Sequence, residues 1–325
     1  MVSNKILRPH EWLLAVTIIV LAAVFSSRSA DFLTLGNLYD LVNNYAMLLI
    51  LACGLFIVLI SGGVDISFPA ITIIAQYVMV TLLMKVGGNF LVAFMIAGGV
   101  GMILGLVNAV LVNRLRVPSI IITISTLNIF YGLLLYLSKG VWLYQYPRWF
   151  EGGLVLMNFN VNGYDYPIGL PMLTLLVVLV ATGVLMNRTR IGRQIYAMGG
   201  NPEAASRLGF SLFRLQLFVY GLMGLLSGVA GVVQSYTVMT VAPDSLLGYE
   251  LTVLAAVVLG GTSIVGGRGT LTGTVLGVVL LAILQNGLNL LGISSYWHTV
   301  IIGLVIVVSI STTAWSQRSK LEVLS

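Results

Sequence analysis

Two histidines, one cysteine, 16 basic and 10 acidic residues are all that this 325-residue sequence holds of the groups on which most enzyme chemistry rests. Cys53 has no second cysteine with which to form an internal disulfide. It lies in the apolar run Leu41–Ile60 and reads as helix packing. His10 and His298 sit in separate regions, so no histidine-based metal cluster is available. A Ser-His-Asp hydrolase would need His298 to meet a serine and an acid, and no such partners are arranged around it. With no catalytic set, no metal set and no cofactor motif, the chain does not read as an enzyme. Stretches long enough for a separate soluble domain are also missing, which leaves residues 1–325 as a single transmembrane domain.

What the chain has is apolar residues, 58% of the total, together with 36 glycines and only 8% charged residues. A water-soluble fold could not hide that surface, so the expectation is an all-α, polytopic transmembrane helical bundle. A bilayer-spanning helix needs about 20 apolar residues. The runs that fit are Glu11–Ser26, Leu41–Ile60, Phe68–Met84, Phe90–Val112, Ser119–Leu137, Ile168–Met186, Leu217–Val238, Leu251–Val265, Thr270–Leu291 and Trp297–Ala314. That makes about ten TM helices, the eighth short enough to need help from its flanks. The first run imitates a secretory signal, but Arg28 stands where a cleavage site before Asp31 needs a small residue, so it reads as a retained span. Five spans precede the middle of the chain and five follow it, so the halves run in opposite senses, as in an inverted repeat. The glycine pairs Gly87-Gly88 and Gly266-Gly267 are the only matching feature found between them.

A net charge of +6 would suggest nucleic acid in a soluble domain; here the distribution of the charge says more than its sum, and no nucleic-acid partner is expected. With the amino terminus inside, the inner segments hold Lys5, Arg8, Arg114, Arg116, Arg188, Arg190, Arg193, Arg207, Arg214, Arg268, Arg318 and Lys320. The outer segments hold only Arg28, Lys85, Lys139 and Arg148. Basic residues accumulate on the cytoplasmic side, which predicts both termini in the cytoplasm. The longest outer loop, Lys139–Pro167, carries Trp142, Tyr144, Tyr146, Trp149, Tyr164 and Tyr166. Such aromatics suit an interfacial belt, or a landing surface for a soluble protein.

The inner segment 187–216 contains a short helix with its boundaries written out. Asn201 is the expected N-cap, Pro202 the first helical residue, Glu203 the charge near the positive end of the dipole and Gly209 the stop. Ala204, Ala205 and Leu208 make a small apolar face suited to close docking. An amphipathic connector resting on lipid headgroups has the same spacing. Glu203-Ala204-Ala205 with Gly209 resembles the EAA loop of the membrane subunits of bacterial ABC importers, and Gly192-Arg193 with Ala197-Met198-Gly199-Gly200-Asn201 resembles the ribose/xylose branch of those permeases. The resemblance implies a coupling helix that docks on a cytoplasmic ATPase.

Two glycine-rich breaks carry the remaining signal. Ser61-Gly62-Gly63-Val64-Asp65-Ile66-Ser67 sets a carboxylate and two hydroxyls beside glycines that let the backbone leave the helix. Either Asp65 or Ser67 caps the following helix in a tight turn, or the break lines a translocation path. The stretch resembles the GG-V-D-I-S signature of the same permeases, with Phe68-Pro69 in place of the usual small pair. The second break runs from Gly248-Tyr249-Glu250-Leu251 to Gly260-Gly261-Thr262-Ser263 and Gly266-Gly267-Arg268-Gly269. It has neither Walker nor dinucleotide spacing, so nucleotide binding is rejected. It too resembles the sugar-type permeases, and Asn286-Gly287-Leu288-Asn289 and Gly105-Leu106-Val107-Asn108 extend the likeness from about Leu41 to Ile310.

Polar residues inside the spans, among them Gln76, Asn108, Ser125, Asn128, Gln234 and Asn286, serve mostly as interhelical hydrogen bonds of about 0.6 kcal/mol each, while some are expected to line a polar path. The near absence of charge there fits a neutral solute and argues against proton or sodium coupling. The resemblance implies a permease subunit of an inner-membrane sugar importer, embedded in lipid. It would work with two ATPase subunits, a second permease copy or paralogue, and a periplasmic or secreted sugar-binding protein. Gly62, Gly63, Asp65, Ser67, Asn108, Glu250, Gly260, Gly261 and Asn286 are the expected path and gating residues. Asn201, Glu203, Ala204, Ala205 and Gly209 are the expected coupling residues. The rival reading is a stand-alone carrier or facilitator.

Overall fold

A computed structural model describes residues 9–161 and 163–294, and beyond them 296, 297, 300, 301, 303, 304 and 307. The helices in chain order are α1 (Pro9–Arg28), α2 (Leu35–Ile60), α3 (Phe68–Val86), α4 (Phe90–Leu115), α5 (Ser119–Ser138) and a single turn α6 (Arg148–Glu151). After a hairpin of β1 (Val155–Val161) and β2 (Tyr164–Gly169) come α7 (Leu170–Arg188), α8 (Arg190–Gly200), α9 (Pro202–Arg207), α10 (Leu212–Val238), α11 (Tyr249–Leu259) and α12 (Leu271–Leu290). Among the described residues, eight helices are long and apolar enough to cross a membrane: α1 to α5, α7, α10 and α12. The chain is thus a multi-pass helical membrane protein. The tenth expected span, Trp297–Ala314, falls largely outside the described residues, as do Lys5, Arg8 and the carboxyl terminus.

The expected eighth crossing, Leu251–Val265, is not a crossing helix. α11 has 11 residues, which at 1.5 Å per residue is about 16 Å, half a bilayer. It stops because Gly260 and Gly261 follow, the latter at φ +85. Gly260 and Ala256 lie against Gly273 and Gly277 of α12, an antiparallel register that brings the first residue of α11, Tyr249, level with Gln285, which accepts from the Tyr45 hydroxyl at 3.0 Å. Tyr45 is ten residues, about 15 Å, inside the first residue of α2. The segment 239–248 therefore re-enters the bundle from the far face, and α11 completes the crossing.

Helix α2 is the hub. From Ala46 to Ile60 every residue is buried, as expected of a helix that is apolar on all sides. α10 lies against α4 with no side chains between their backbones. A Cβ on Gly101 or Gly105 would strike the carbonyls of Gly224 and Tyr220, and one on Gly224 or Gly228 the carbonyls of Gly101 and Ala97. Small residues four apart on both helices allow this approach where lipid gives apolar side chains no reason to associate.

On the face opposite α8 and α9, Tyr146 and Phe150 are buried among Phe90, Trp149 and Tyr236, with rings 5.0 Å apart for Tyr146 and Phe150. The expected aromatic belt is split: those residues close a core, while Trp142, Tyr144 and Tyr164 stay exposed. Burial pushes the Tyr146 hydroxyl above its ordinary pKa, against a nearby Ser235 hydroxyl that lowers it.

Candidate functional site

The two glycine breaks, far apart in sequence, meet at one point, and the end of α8 is wedged between them. Ile60 ends α2, and its carbonyl accepts from the Gly267 amide at 2.9 Å. A Cβ on Gly199 would land on that carbonyl oxygen and lie 2.8 Å from the Gly267 amide nitrogen. A Cβ on Gly266 would meet the Cα of Gly62 at 2.7 Å and the carbonyl of Gly199 at 2.8 Å. Gly62, Gly266 and Gly267 all have positive φ, a conformation that glycine adopts without strain. Three backbones thus touch with no side chain among them.

The first break is pinned from within by Asp65. Its Oδ1 accepts from the Ser67 amide at 2.8 Å and from the Ser67 hydroxyl at 2.7 Å, and the Asn108 amide of α4 donates to that hydroxyl at 2.6 Å. The expected tight turn is present in altered form: Ser67 stands at the N-cap of α3, but no side chain caps the helix, and Asp65 bonds to Ser67 instead. Pro69 falls in the first turn of α3, where its missing amide costs nothing, so Phe68-Pro69 keeps the backbone path open. Val64 ties the break to α5: its amide donates to the Ser119 hydroxyl at 2.8 Å and its carbonyl accepts from Thr123 at 3.2 Å. Tyr220 of α10 covers Gly63, where a Cβ would sit 2.5 Å from the tyrosine oxygen. Asp65 Oδ2, Asn108 Oδ1 and the Tyr220 hydroxyl are buried and lack a partner among the described residues. Burial pushes the Asp65 carboxyl above the usual carboxylate range, and the two hydrogen bonds from Ser67, with the Asn108 amide close by, pull it partway back.

The second break is clamped by α1. His10 Nε2 lies 2.9 Å from the Leu259 carbonyl, the His10 ring packs on Gly261, and Thr270, the N-cap of α12, donates to the Glu11 carboxylate. Gly260 packs backbone to backbone on Gly273 of α12. Glu250 stands in the first turn of α11 with a buried Oε2.

The family described as branched-chain amino acid transport system / permease component matches residues 37–310. The chain belongs to that family. It is 33% identical over 296 residues to the ribose import permease protein of Escherichia coli (strain K12), covering 91% of each chain. It is 32% identical over 305 residues to the protein of the same description from Bacillus subtilis (strain 168), covering 90% of this chain and 88% of that one. The permease component of the autoinducer 2 import system of Yersinia pestis (strain Pestoides F) is 31% identical over 289 residues, 89% of this chain and 80% of its own. No solved structure matches. The chain is the membrane permease subunit of an ABC importer, a family whose members act with ATPase and binding-protein partners and are not themselves enzymes.

In the permease, the expected coupling helix is α9. Asn201 caps it, with Oδ1 accepting from the Ala204 amide at 3.0 Å, Pro202 opens it and Gly209 follows at φ +84. Glu203, Ala204 and Leu208 are exposed, Leu208 at 71%. Ala205 is only 1% exposed and packs inward, so it supports α9 rather than offering itself to a partner. Asn286 does not join the path residues either. It exchanges two side-chain hydrogen bonds, 2.8 and 2.9 Å, with Asn37 of α2 and so locks α12 to α2. The repeat-like pairs differ as well, for a Cβ on Gly87 meets nothing while Gly266 and Gly267 are packed.

Removing Asp65 tests the break directly. Asp65→Ala leaves the Ser67 amide and the Ser67 hydroxyl without their buried acceptor, and is expected to cost about 1–3 kcal/mol of stability. Asp65→Asn keeps an acceptor oxygen and should cost less. Thermal unfolding of the detergent-purified chain reads the difference; equal losses would mean that the Oδ1 contacts do not hold the break.

Proposed function

We propose that this permease moves a monosaccharide or similar small polyol into the bacterial cytoplasm by alternating access, as one of two membrane subunits, identical or paralogous, served by two ATPases and a periplasmic or secreted binding protein. The observation that carries this is the three-way backbone contact of Gly199 with Ile60 and Gly266-Gly267. A displacement of α9 by a closing ATPase passes along α8 to a point where no compressible side chain intervenes, and so reaches both breaks together. Gly62, Gly63, Asp65, Ser67, Asn108, Glu250, Gly260 and Gly261 then act as the gating set. The polyol substrate is supported by the ribose and autoinducer 2 relatives and by spans that hold amides and hydroxyls with few charges.

The 12-to-4 division of basic residues supports a cytoplasmic α8–α9 face in the inner membrane, with both termini on that side and residues 1–325 forming one transmembrane domain. Reporter fusions after Arg116 and within Arg188–Arg214 are expected to read cytoplasmic, and one within Lys139–Pro167 periplasmic. A periplasmic signal from Arg188–Arg214 would overturn the orientation.

Docking is tested at the exposed face of α9. Ala204→Trp with Leu208→Asp is expected to leave membrane insertion and thermal stability near those of the parent, while copurification of the ATPase falls by about tenfold or more, a loss near 1.4 kcal/mol of binding. Normal copurification together with normal sugar uptake would refute the docking role and favour a stand-alone carrier.

A further inference from the structure

On the face opposite α8 and α9, the segment 140–153 lies across the ends of α3, α4 and α10 and is held there mainly by aromatic rings. Phe150 is buried, its ring 5.3 Å from that of Phe90 on α4 and 6.2 Å from that of Tyr236 on α10. Trp149 stands edge-on to Phe90 at 5.1 Å, and Met79 and Leu83 of α3 complete the same core. The backbone is tied far more lightly. Past the junction with α5, its only backbone hydrogen bonds to another element among the described residues are the two that Leu143 exchanges with Val241, 3.0 and 2.9 Å. Glycines with positive φ stand at both ends of the segment, Gly140 at +68 and Gly153 at +73.

The groups beneath the segment do not suit a permanent core. The Tyr146 hydroxyl, the Trp149 indole N–H and the Ser235 hydroxyl are buried there and have no hydrogen-bond partner among the described residues. A Cβ on Gly231, one turn before Ser235 on α10, would sit 2.9 Å from the side chain of Gln76 on α3, whose Nε2 is likewise buried without a partner. The indole and the amide nitrogen can only donate, so neither satisfies the other. A buried donor with no acceptor carries its full desolvation penalty, and native cores hold few of them. Four along one interface mean that the closed arrangement gives up hydration that an open one would recover. A fixed cap would be more stable with Phe in place of Tyr146 and Ala in place of Ser235.

We infer that residues 140–153 form a releasable strap, closed over α3, α4 and α10 in this structure and lifted in another state of the transport cycle, with the four unpartnered groups offsetting the aromatic packing so that release is easy. Lifting brings Tyr146, Trp149, Ser235 and Gln76 to water. Gly140 and Gly153 take up the change in chain direction, and the Leu143–Val241 bridge is the contact that breaks. The inference rests on the importer reading and adds a moving part to its alternating access.

Residues that exchange both hydrogen bonds across an antiparallel bridge have Cα atoms about 5.5 Å apart, a distance that a disulfide spans. Cys53 is fully buried, so Leu143→Cys with Val241→Cys needs no other change. In proteoliposomes with ATPase and binding protein, oxidising this double variant is expected to cut D-ribose uptake by about tenfold or more, a difference near 1.4 kcal/mol, and reduction to restore it. Tyr146→Phe with Ser235→Ala removes two of the unpartnered hydroxyls and keeps the ring that stacks on Phe150. It is expected to raise the Tm of the purified chain by about 2 °C while slowing uptake about threefold, opposite signs that a merely structural role would not produce. A cross-linked importer that transports at the parent rate would overturn the inference. So would a Tm below that of the parent, for the two hydroxyls would then be supports of a fixed cap, satisfied by buried water. The Tm is read on the chain alone, so a parent that takes up no sugar would count against the importer reading and not against the strap.

Discussion

Gly224→Leu is expected to prevent the permease from folding, and Gly99→Leu, on the partner helix, to have almost no effect. At Gly224 the added Cβ alone would strike the Gly101 carbonyl and come within 3.0 Å of the Gly105 Cα, so α10 must move away from α4 as a unit. Overpacking commonly costs about 1–3 kcal/mol. Here the collision is with backbone that cannot rotate aside, and separating the helices also parts Gly105 from Tyr220 and Gly228 from Ala97. A loss of more than about 3 kcal/mol is expected, enough to consume much of the stability of an ordinary domain. Gly99 faces away, and a Cβ there meets nothing within 4 Å. Monodisperse yield in detergent and Tm compare the two. A Gly224→Leu protein as stable as Gly99→Leu would mean that the α4–α10 contact does not organise the bundle.

The spans were legible because hydropathy over about 20 residues integrates many weak signals, and the ends of α3, α4 and α5 fall within a few residues of the apolar runs that announced them. α11 was not legible in the same way. The run Leu251–Val265 is apolar throughout, and only the doubled glycine at 260 and 261 marks where the helix stops. Its depth follows from packing on α12, Gly260 on Gly273 and Ala256 on Gly277, which no local pattern announces. α8 does not stand out in the sequence although Gly192, Ile195 and Met198 repeat at helical spacing and are buried, because the arginines of that segment draw the reading toward a cytoplasmic loop. The stripe Ala97, Gly101, Gly105 facing Gly224 and Gly228 is likewise visible as a four-residue repeat of small residues, but which two helices it joins is decided only in three dimensions.

At the site, the local part of the reading held better than the long-range part. Asn201, Pro202 and Gly209 punctuate α9 as their chemistry requires, since capping is settled within one turn. Asp65, Ser67 and Asn108 were named separately and are found bonded in a chain. Whether Ala205 faced a partner or its own bundle could not be read from EAA spacing, for both faces of so short a helix are small. Asn286 has the residue type of a path group and the position of a lock.

The largest functional effect is expected at Gly199. Gly199→Ala adds one methyl group, yet that methyl would occupy the place of the Ile60 carbonyl oxygen. Either α8 moves away and the junction opens, or the end of α2 moves and the Gly267 amide loses its 2.9 Å bond to Ile60. The loss in stability is expected to be about 1–3 kcal/mol, because the α4–α10 contact lies elsewhere and the spans remain packed. Transport should suffer far more. With the junction opened, movement of α9 is absorbed at the gap instead of reaching the two breaks, so binding-protein-stimulated ATP hydrolysis and sugar uptake should each fall by about a hundredfold, near 2.7 kcal/mol of coupling. Gly200→Ala is the control one residue on: nothing lies within 4 Å of its Cβ, and uptake should stay within about twofold of the parent. ATPase copurification separates loss of docking from loss of transmission, since α9 itself is untouched and the ATPase should remain bound to Gly199→Ala. A Gly199→Ala importer that hydrolyses ATP and takes up sugar at the parent rate would show that α8 is a passive brace and that force reaches the breaks by another route.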